Sequence, residues 1–211
     1  MSSGAIILIN GYPGVGKLST AQRLSKILPN SKVLDTHHLK DATSSLFDQK
    51  RDVEAWNALH SGLRDAIFRS INVSGSSRSQ PIYILTESIP ASPAGAKDLE
   101  SLLAYARDAN FTLIHIILSC STSENIHRLQ SQERSFKNKL TDEGALMELR
   151  MEEEIARFGG GIMRKRVVGL GGEYEIDTEA VDPKGAAAIV GEYVMDALRR
   201  QGWFIQLNRV K

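Results

Sequence analysis

The heptapeptide Gly11-Tyr12-Pro13-Gly14-Val15-Gly16-Lys17 holds the residue types that a phosphate cradle needs. Its glycines reach backbone angles closed to other residues, so main-chain amides can turn toward phosphate oxygens. Lys17 supplies a point charge for the β- and γ-phosphates. The apolar run Ile6-Ile7-Leu8-Ile9 precedes the loop and an amphipathic stretch follows it, which is the strand–loop–helix context the motif requires. A helix opening near Lys17 adds its unpaired amides and the positive end of its dipole. The spacing implies binding of a nucleoside triphosphate. Its expected contact set is Gly11, Pro13, Gly14, Val15, Gly16, Lys17, Leu18, Ser19 and Thr20. The position after the lysine, where Ser or Thr is usual, is Leu18, and hydroxyls follow at Ser19 and Thr20.

A second group of candidates lies where strands are expected to end. Val33-Leu34-Asp35-Thr36-His37-His38 closes the second apolar run, and Asp35 there can orient a substrate hydroxyl and accept its proton. The competing role for Asp35 is a turn cap. Of the adjacent histidines, His38 is the candidate acceptor contact. Their spacing with Cys120 is not that of a metal site. The third run ends Leu85-Thr86-Glu87-Ser88, which makes Glu87 a candidate substrate contact, outer-shell metal ligand or base. Arg51 and Arg64 are placed to read an anionic group on an acceptor, or to serve as plain surface residues of their helix.

These residues need a scaffold, and the periodicity supplies one. Residues 5–10, 32–35, 81–86, 111–119 and 173–177 read as strands, and the near-continuous apolar runs suit a parallel sheet covered on both faces. Residues 17–28, 51–72, 96–109, 123–133, 142–158 and 183–200 read as helices. In the second of these, Val53, Trp56, Leu59, Leu63, Ile67 and Ile71 form a stripe at intervals of three and four. The alternation predicts an α/β fold, a doubly wound parallel sheet of about five strands flanked by helices with right-handed crossovers. Residues 74–80 and the glycine-rich 159–172 read as loops. One domain spanning 1–211 is expected.

The form Gly-x-Pro-Gly-x-Gly-Lys-x-Ser resembles the loop of adenylate kinases and related small P-loop kinases, which share the displaced hydroxyl. Asp35 is similar to the acid at the same strand end in shikimate- and gluconate-type kinases. The resemblance implies ATP and Mg²⁺ as cofactors, with Ser19 and Glu87 on the metal side. It also implies a mobile lid at about 128–142. There Arg128 would stack on the base, Arg134 would clamp the transferring phosphoryl group, and Lys137 and Lys139 would extend the lid. Lys139-Leu140-Thr141-Asp142 is similar to a stretch in small bacterial and fungal proteins loosely labelled AAA-family ATPases or kinases. The implied catalytic set is Lys17, Asp35 and Arg134. The function so implied is transfer of a γ-phosphoryl group to a small hydroxylated or phosphorylated acceptor. Nucleoside monophosphate kinase, nucleotide-dependent ATPase switch and polynucleotide 5′-hydroxyl kinase stand as alternatives. Against strict adenylate kinase, the Asp-Gly-x-Pro-Arg stretch is replaced by Thr86-Glu87-Ser88-Ile89-Pro90.

Bulk properties set the remaining expectations. A net charge of +1 in 211 residues gives no push toward nucleic acid or anionic membrane, although Arg164-Lys165-Arg166 offers one short basic cluster. One cysteine permits no internal disulfide and suits a reducing compartment; Cys120 is expected to be buried. The start Met-Ser-Ser-Gly-Ala lacks the basic region of a signal peptide, and a cytoplasmic location is expected. The segment Trp203-Phe204-Ile205 either docks on its own domain or supports a homodimer.

Overall fold

The computed structural model describes residues 2–74, 80–130, 142–159 and 167–203. Five strands form one sheet: β1 (Gly4–Gly11), β2 (Ser31–Asp35), β3 (Ile82–Glu87), β4 (Phe111–Ser119) and β5 (Leu170–Asp177). Their order is β2-β3-β1-β4-β5 and every pairing is parallel. Among the described residues seven helices flank it: α1 (Lys17–Ile27), α2 (His37–Ser44), α3 (Val53–Ser74), α4 (Pro93–Asp108), α5 (Thr122–Leu129), α6 (Glu143–Glu152) and α7 (Pro183–Arg200).

The alternation of side chains along a strand divides the core. Ala5, Ile7 and Ile9 of β1, with Ile82, Ile84, Ile114 and Ile116, pack under Leu24 of α1 and Val190, Val194 and Leu198 of α7. Ile6 and Leu8, with Tyr83, Leu85 and Leu113, pack under Phe68 and Ile71 of α3 and Leu99 and Leu102 of α4. Because both faces are covered, the central strands read as unbroken apolar runs. Trp203 joins the first cluster and its indole N–H donates to Ser2 Oγ at 2.7 Å, so this aromatic docks on its own chain. Phe204 and Ile205 lie outside the described residues. Cys120 is buried, and burial pushes its thiol up. No described helix is long and apolar enough to cross a membrane.

Three elements differ from expectation. Residues 37–44 form α2, a helix that buries only Leu39 and Thr43 and so carries little apolar periodicity. α6 ends at Glu152 instead of 158. The chain beyond it extends because Ala91 N–H donates to Glu154 O at 2.6 Å and Ala156 N–H to Ile89 O at 3.0 Å. β5 begins at Leu170, three residues before the expected 173, through its ladder with β4.

At the β4–β5 seam, His115 Nδ1 lies 2.8 Å from Glu173 Oε2, and Phe158 N–H donates to the same oxygen at 2.7 Å. Burial raises the Glu173 carboxyl, but these bonds and that from Gly159 N–H outweigh it and leave the group below its ordinary value. A depressed carboxylate contributes stability above its unfolded pKa and loses it as pH falls through the folded one. Glu173→Gln is therefore expected to cost about 1.5–3 kcal/mol at neutral pH, the scale of a hydrogen bond to a charged group. The deficit should shrink toward pH 3, as measured by denaturant melts across pH. An unchanged deficit at low pH would contradict the assignment.

Candidate active site

The candidate site sits at the carboxyl ends of the strands, where the chain leaves β1 toward one edge of the sheet and β4 toward the other. A cavity of about 1120 Å³ opens there, with residues 12–20 as its floor. Gly14 and Gly16 hold φ of 97° and 93°, a region that side chains disfavour. A Cβ on Gly14 would also collide with the Asn125 amide. Side chains of Ser92, Ser121, Asp142 and Asp182 cap α4, α5, α6 and α7, whereas no side chain caps α1. The amides at the start of α1 therefore remain for an anion.

Lys17 Nζ donates to Gly11 O at 2.7 Å, Tyr12 O at 2.9 Å and Ser88 Oγ at 2.9 Å. Its ammonium is thus held against the loop and tied to the segment after β3. Pro13, Gly14, Val15, Gly16, Lys17, Leu18, Ser19 and Thr20 all line the cavity, while Gly11 lies beneath and contributes its carbonyl. Ser19, an exposed residue of the first turn of α1, lines the cavity.

Residues outside the motif brace the loop. Buried Asn10 accepts from Gly11 N–H at 2.9 Å and Ile89 N–H at 2.8 Å. Asn125 of α5 donates to Pro13 O at 2.7 Å and accepts from Arg150 Nη1 at 2.9 Å. Arg150 of α6 also donates to Cys120 O at 3.1 Å, and its guanidinium carbon lies 4.5 Å from the centre of the Tyr12 ring. Tyr12 in turn donates to Glu153 O at 2.6 Å. Sequence reasoning did not single out Asn10, Ser88, Asn125 or Arg150. The Asn10 side chain, a polar group ending an apolar strand directly before the glycine loop, was the one available signal. If the loop holds a nucleoside triphosphate, Arg150→Ala is expected to weaken its binding about tenfold. The cost of about 1.4 kcal/mol corresponds to that factor. Calorimetric nucleotide titration checks it, and an affinity within about twofold of the parent would show that Arg150 does not brace the loop.

On the β4–β5 side, Arg128 Nε donates to Glu124 Oε1 at 2.6 Å, Nη1 to Thr178 Oγ1 at 2.9 Å and Nη2 to Thr178 O at 2.6 Å. The N–H donors of a guanidinium lie in its plane, so three such bonds fix its orientation and leave its faces suited to stacking. Val181, Asp182, Pro183 and Ala186 line this half with it.

On the β2–β3 side, Asp35 is 8% exposed. Its Oδ1 accepts from Thr86 Oγ1 at 3.0 Å and from His37 N–H at 3.3 Å. Glu87 also lines the cavity; its side chain is 11% exposed and stands 3.8 Å from Arg64 Nη2. Burial pushes the Glu87 carboxyl up, against the opposing charge of Arg64. Arg64 Nη1 makes its short contact with Asp98, at 2.8 Å.

Two positions differ from the reading of the sequence. His38 is exposed and does not line the cavity, whereas His37 does, because the segment is helical and successive side chains turn by about 100°. Arg51 is also absent from the lining. Its side chain is 80% exposed and pairs with Asp52 at 3.1 Å in the turn before α3. Arg134, Lys137, Lys139 and Thr141 lie outside the described residues, as does Arg164-Lys165-Arg166.

No family model matches the chain, and no curated protein matches it. Solved structures do. The Deinococcus radiodurans tunicamycin resistance protein is 20% identical, with a TM-score of 0.54, over 96% of this chain and 98% of that one. A candidate kinase from Chloroflexus aurantiacus is 17% identical, with a TM-score of 0.64, over 92% of this chain and 98% of that one. The thymidylate kinase of Candida albicans is 14% identical, with a TM-score of 0.56, over 98% of this chain and 99% of that one. At these identities the likeness establishes a shared fold alone, a five-stranded parallel sheet flanked by helices.

Proposed function

We propose that the chain is an ATP-dependent phosphotransferase that moves a γ-phosphoryl group to the hydroxyl of a small molecule. The observation that carries this reading is one cavity with two chemically distinct halves. The phosphate loop follows the central strand β1, the oriented Arg128 lies on its β4–β5 side, and a buried carboxylate, Asp35, lies on its β2–β3 side. The likeness to kinases in fold supports it as an analogy.

In this reading the loop amides and Lys17 hold the β- and γ-phosphates and stabilise charge as the phosphoryl group moves. Lys17 exchanges its carbonyl partners for phosphate oxygens. Arg128 offers a face to the base. Asp35, held by Thr86 and the His37 amide, orients the acceptor hydroxyl and takes its proton as the oxygen attacks. The residues fit Mg²⁺ held mainly through water, since Ser19 lines the cavity while Glu87 lies 3.8 Å from Arg64. When bound, the ion neutralises charge on the β- and γ-phosphates. Arg134 is the candidate clamp in the segment after α5.

The test is transfer from γ-labelled ATP across pooled sugars, nucleosides, nucleotides, hydroxy acids and short oligonucleotides. A labelled small molecule, absent with Asp35→Asn, supports the reading. Labelled nucleotides would point to a monophosphate kinase, and labelled oligonucleotides to an end-kinase. Phosphate released to water at a rate indifferent to every acceptor would favour an ATPase switch and overturn the proposal.

A further inference from the structure

The chain leaving β3 touches both the phosphate loop's lysine and the buried carboxylate at the end of β2. Thr86 Oγ1 donates to Asp35 Oδ1 at 3.0 Å, and two residues further on Ser88 Oγ accepts from Lys17 Nζ at 2.9 Å. An ammonium has donors only, so the serine oxygen is the acceptor in that contact and its own hydrogen stays unspent. Among the described residues the Ser88 hydroxyl makes this one hydrogen bond, and Ser88 lines the cavity as a half-buried residue. Its O–H is therefore a donor aimed at whatever lies beside the Lys17 ammonium.

Both neighbours of Ser88 are pinned. Glu87 stands opposite Asn10 in the β1–β3 ladder. Ile89 N–H donates to Asn10 Oδ1 at 2.8 Å, and Ile89 O accepts from Ala156 N–H at 3.0 Å. The same Asn10 oxygen accepts from Gly11 N–H at 2.9 Å. One fully buried side chain thus sets Ser88 relative to the first residue of the loop. A hydroxyl carried on so fixed a backbone loses little freedom when it binds, which raises the worth of a single hydrogen bond.

Resting on the phosphotransferase reading, we infer that Ser88 is a further binding residue for the γ-phosphoryl group, accepting from Lys17 and donating its own hydrogen to a γ-phosphoryl oxygen. Lys17 has three donors. Phosphate oxygens take the two now given to Gly11 O and Tyr12 O, and the third stays on Ser88. The ammonium polarises the hydroxyl and makes it the stronger donor. The β-phosphate is served by Lys17 and the loop amides, so the Ser88 hydroxyl separates a triphosphate from a diphosphate.

The experiment titrates the full chain calorimetrically with a non-hydrolysable ATP analogue and with ADP, each with Mg²⁺. The proteins are the parent, Ser88→Ala and Ser88→Thr. Ser88→Ala is expected to weaken the analogue at least about tenfold, the scale of one hydrogen bond to a charged partner, and ADP less than about twofold. Ser88→Thr keeps the hydroxyl and should hold the analogue within about threefold of the parent. Equal weakening of both ligands in Ser88→Ala would show that Ser88 acts only by steadying Lys17, and would overturn the inference. So would an analogue affinity unchanged in Ser88→Ala, a loss as large in Ser88→Thr, or no nucleotide binding by the parent. Label transfer from ATP to the acceptor pools is measured on the parent alongside. The expected affinities without any transfer would defeat the phosphotransferase reading and leave Ser88 on the γ-phosphate. Transfer by the parent with an unchanged analogue affinity in Ser88→Ala would defeat this inference alone.

Discussion

Lys17→Ala is expected to lower phosphoryl transfer from ATP by about two to three orders of magnitude, the scale of losing one preorganised donor to transition-state charge. The structure adds a second consequence. Nζ holds Gly11 O, Tyr12 O and Ser88 Oγ, so its removal also unties the loop from the chain after β3. Nucleotide affinity should therefore fall together with kcat. Lys17→Arg keeps the charge but places a planar fork where three converging donors are needed, and should recover little. Single-turnover rates and nucleotide titrations separate the two effects. Transfer within threefold of the parent in Lys17→Ala would show that the loop does not carry the γ-phosphate.

Asp35→Asn is expected to reduce kcat by about two to four orders of magnitude while leaving KM for ATP within about twofold, since general-base contributions fall in that range. The substitution keeps shape. Asn Oδ1 still accepts from Thr86 Oγ1 and the His37 amide, so these two bonds of the buried position are kept. What is lost is the charge that takes the proton in the proposed reaction. Thr86→Val serves as the companion variant. It removes the hydroxyl that orients Asp35 and should cost a smaller factor, about tenfold, in kcat alone. An Asp35→Asn enzyme with parental kcat would assign Asp35 to turn formation rather than to the reaction.

Much of the protein was legible from local patterns because local physics sets them. Glycine spacing dictates the phosphate loop wherever it occurs between a strand and a helix. Unbroken runs such as Ile6 to Ile9 are required of strands buried on both faces, and the observed order β2-β3-β1-β4-β5 realises the parallel sheet those runs imply. That Asp35 and Glu87 line the cavity was also legible this way, because parallel strands deliver their carboxyl ends to one edge.

The choices that remained depended on packing. Residues 37–44 bury two side chains, too few to mark a helix, and an extended reading of the segment cannot rank His37 against His38. Once the helix forms, its rotation brings His37 and Lys40, three residues apart, to the cavity and turns His38 away. Arg51 and Arg64 look alike in sequence. Only the docking of α3 beside β3 and α4 sets Arg64 against Glu87 and Asp98, while Arg51 stays in its own turn with Asp52. Arg150 reaches Asn125 across 25 positions, and Asn125 reaches Pro13 across 112. Periodicity and motif spacing report a residue's neighbours along the chain. The bracing of the loop comes from residues that meet only when the sheet and its helices have packed.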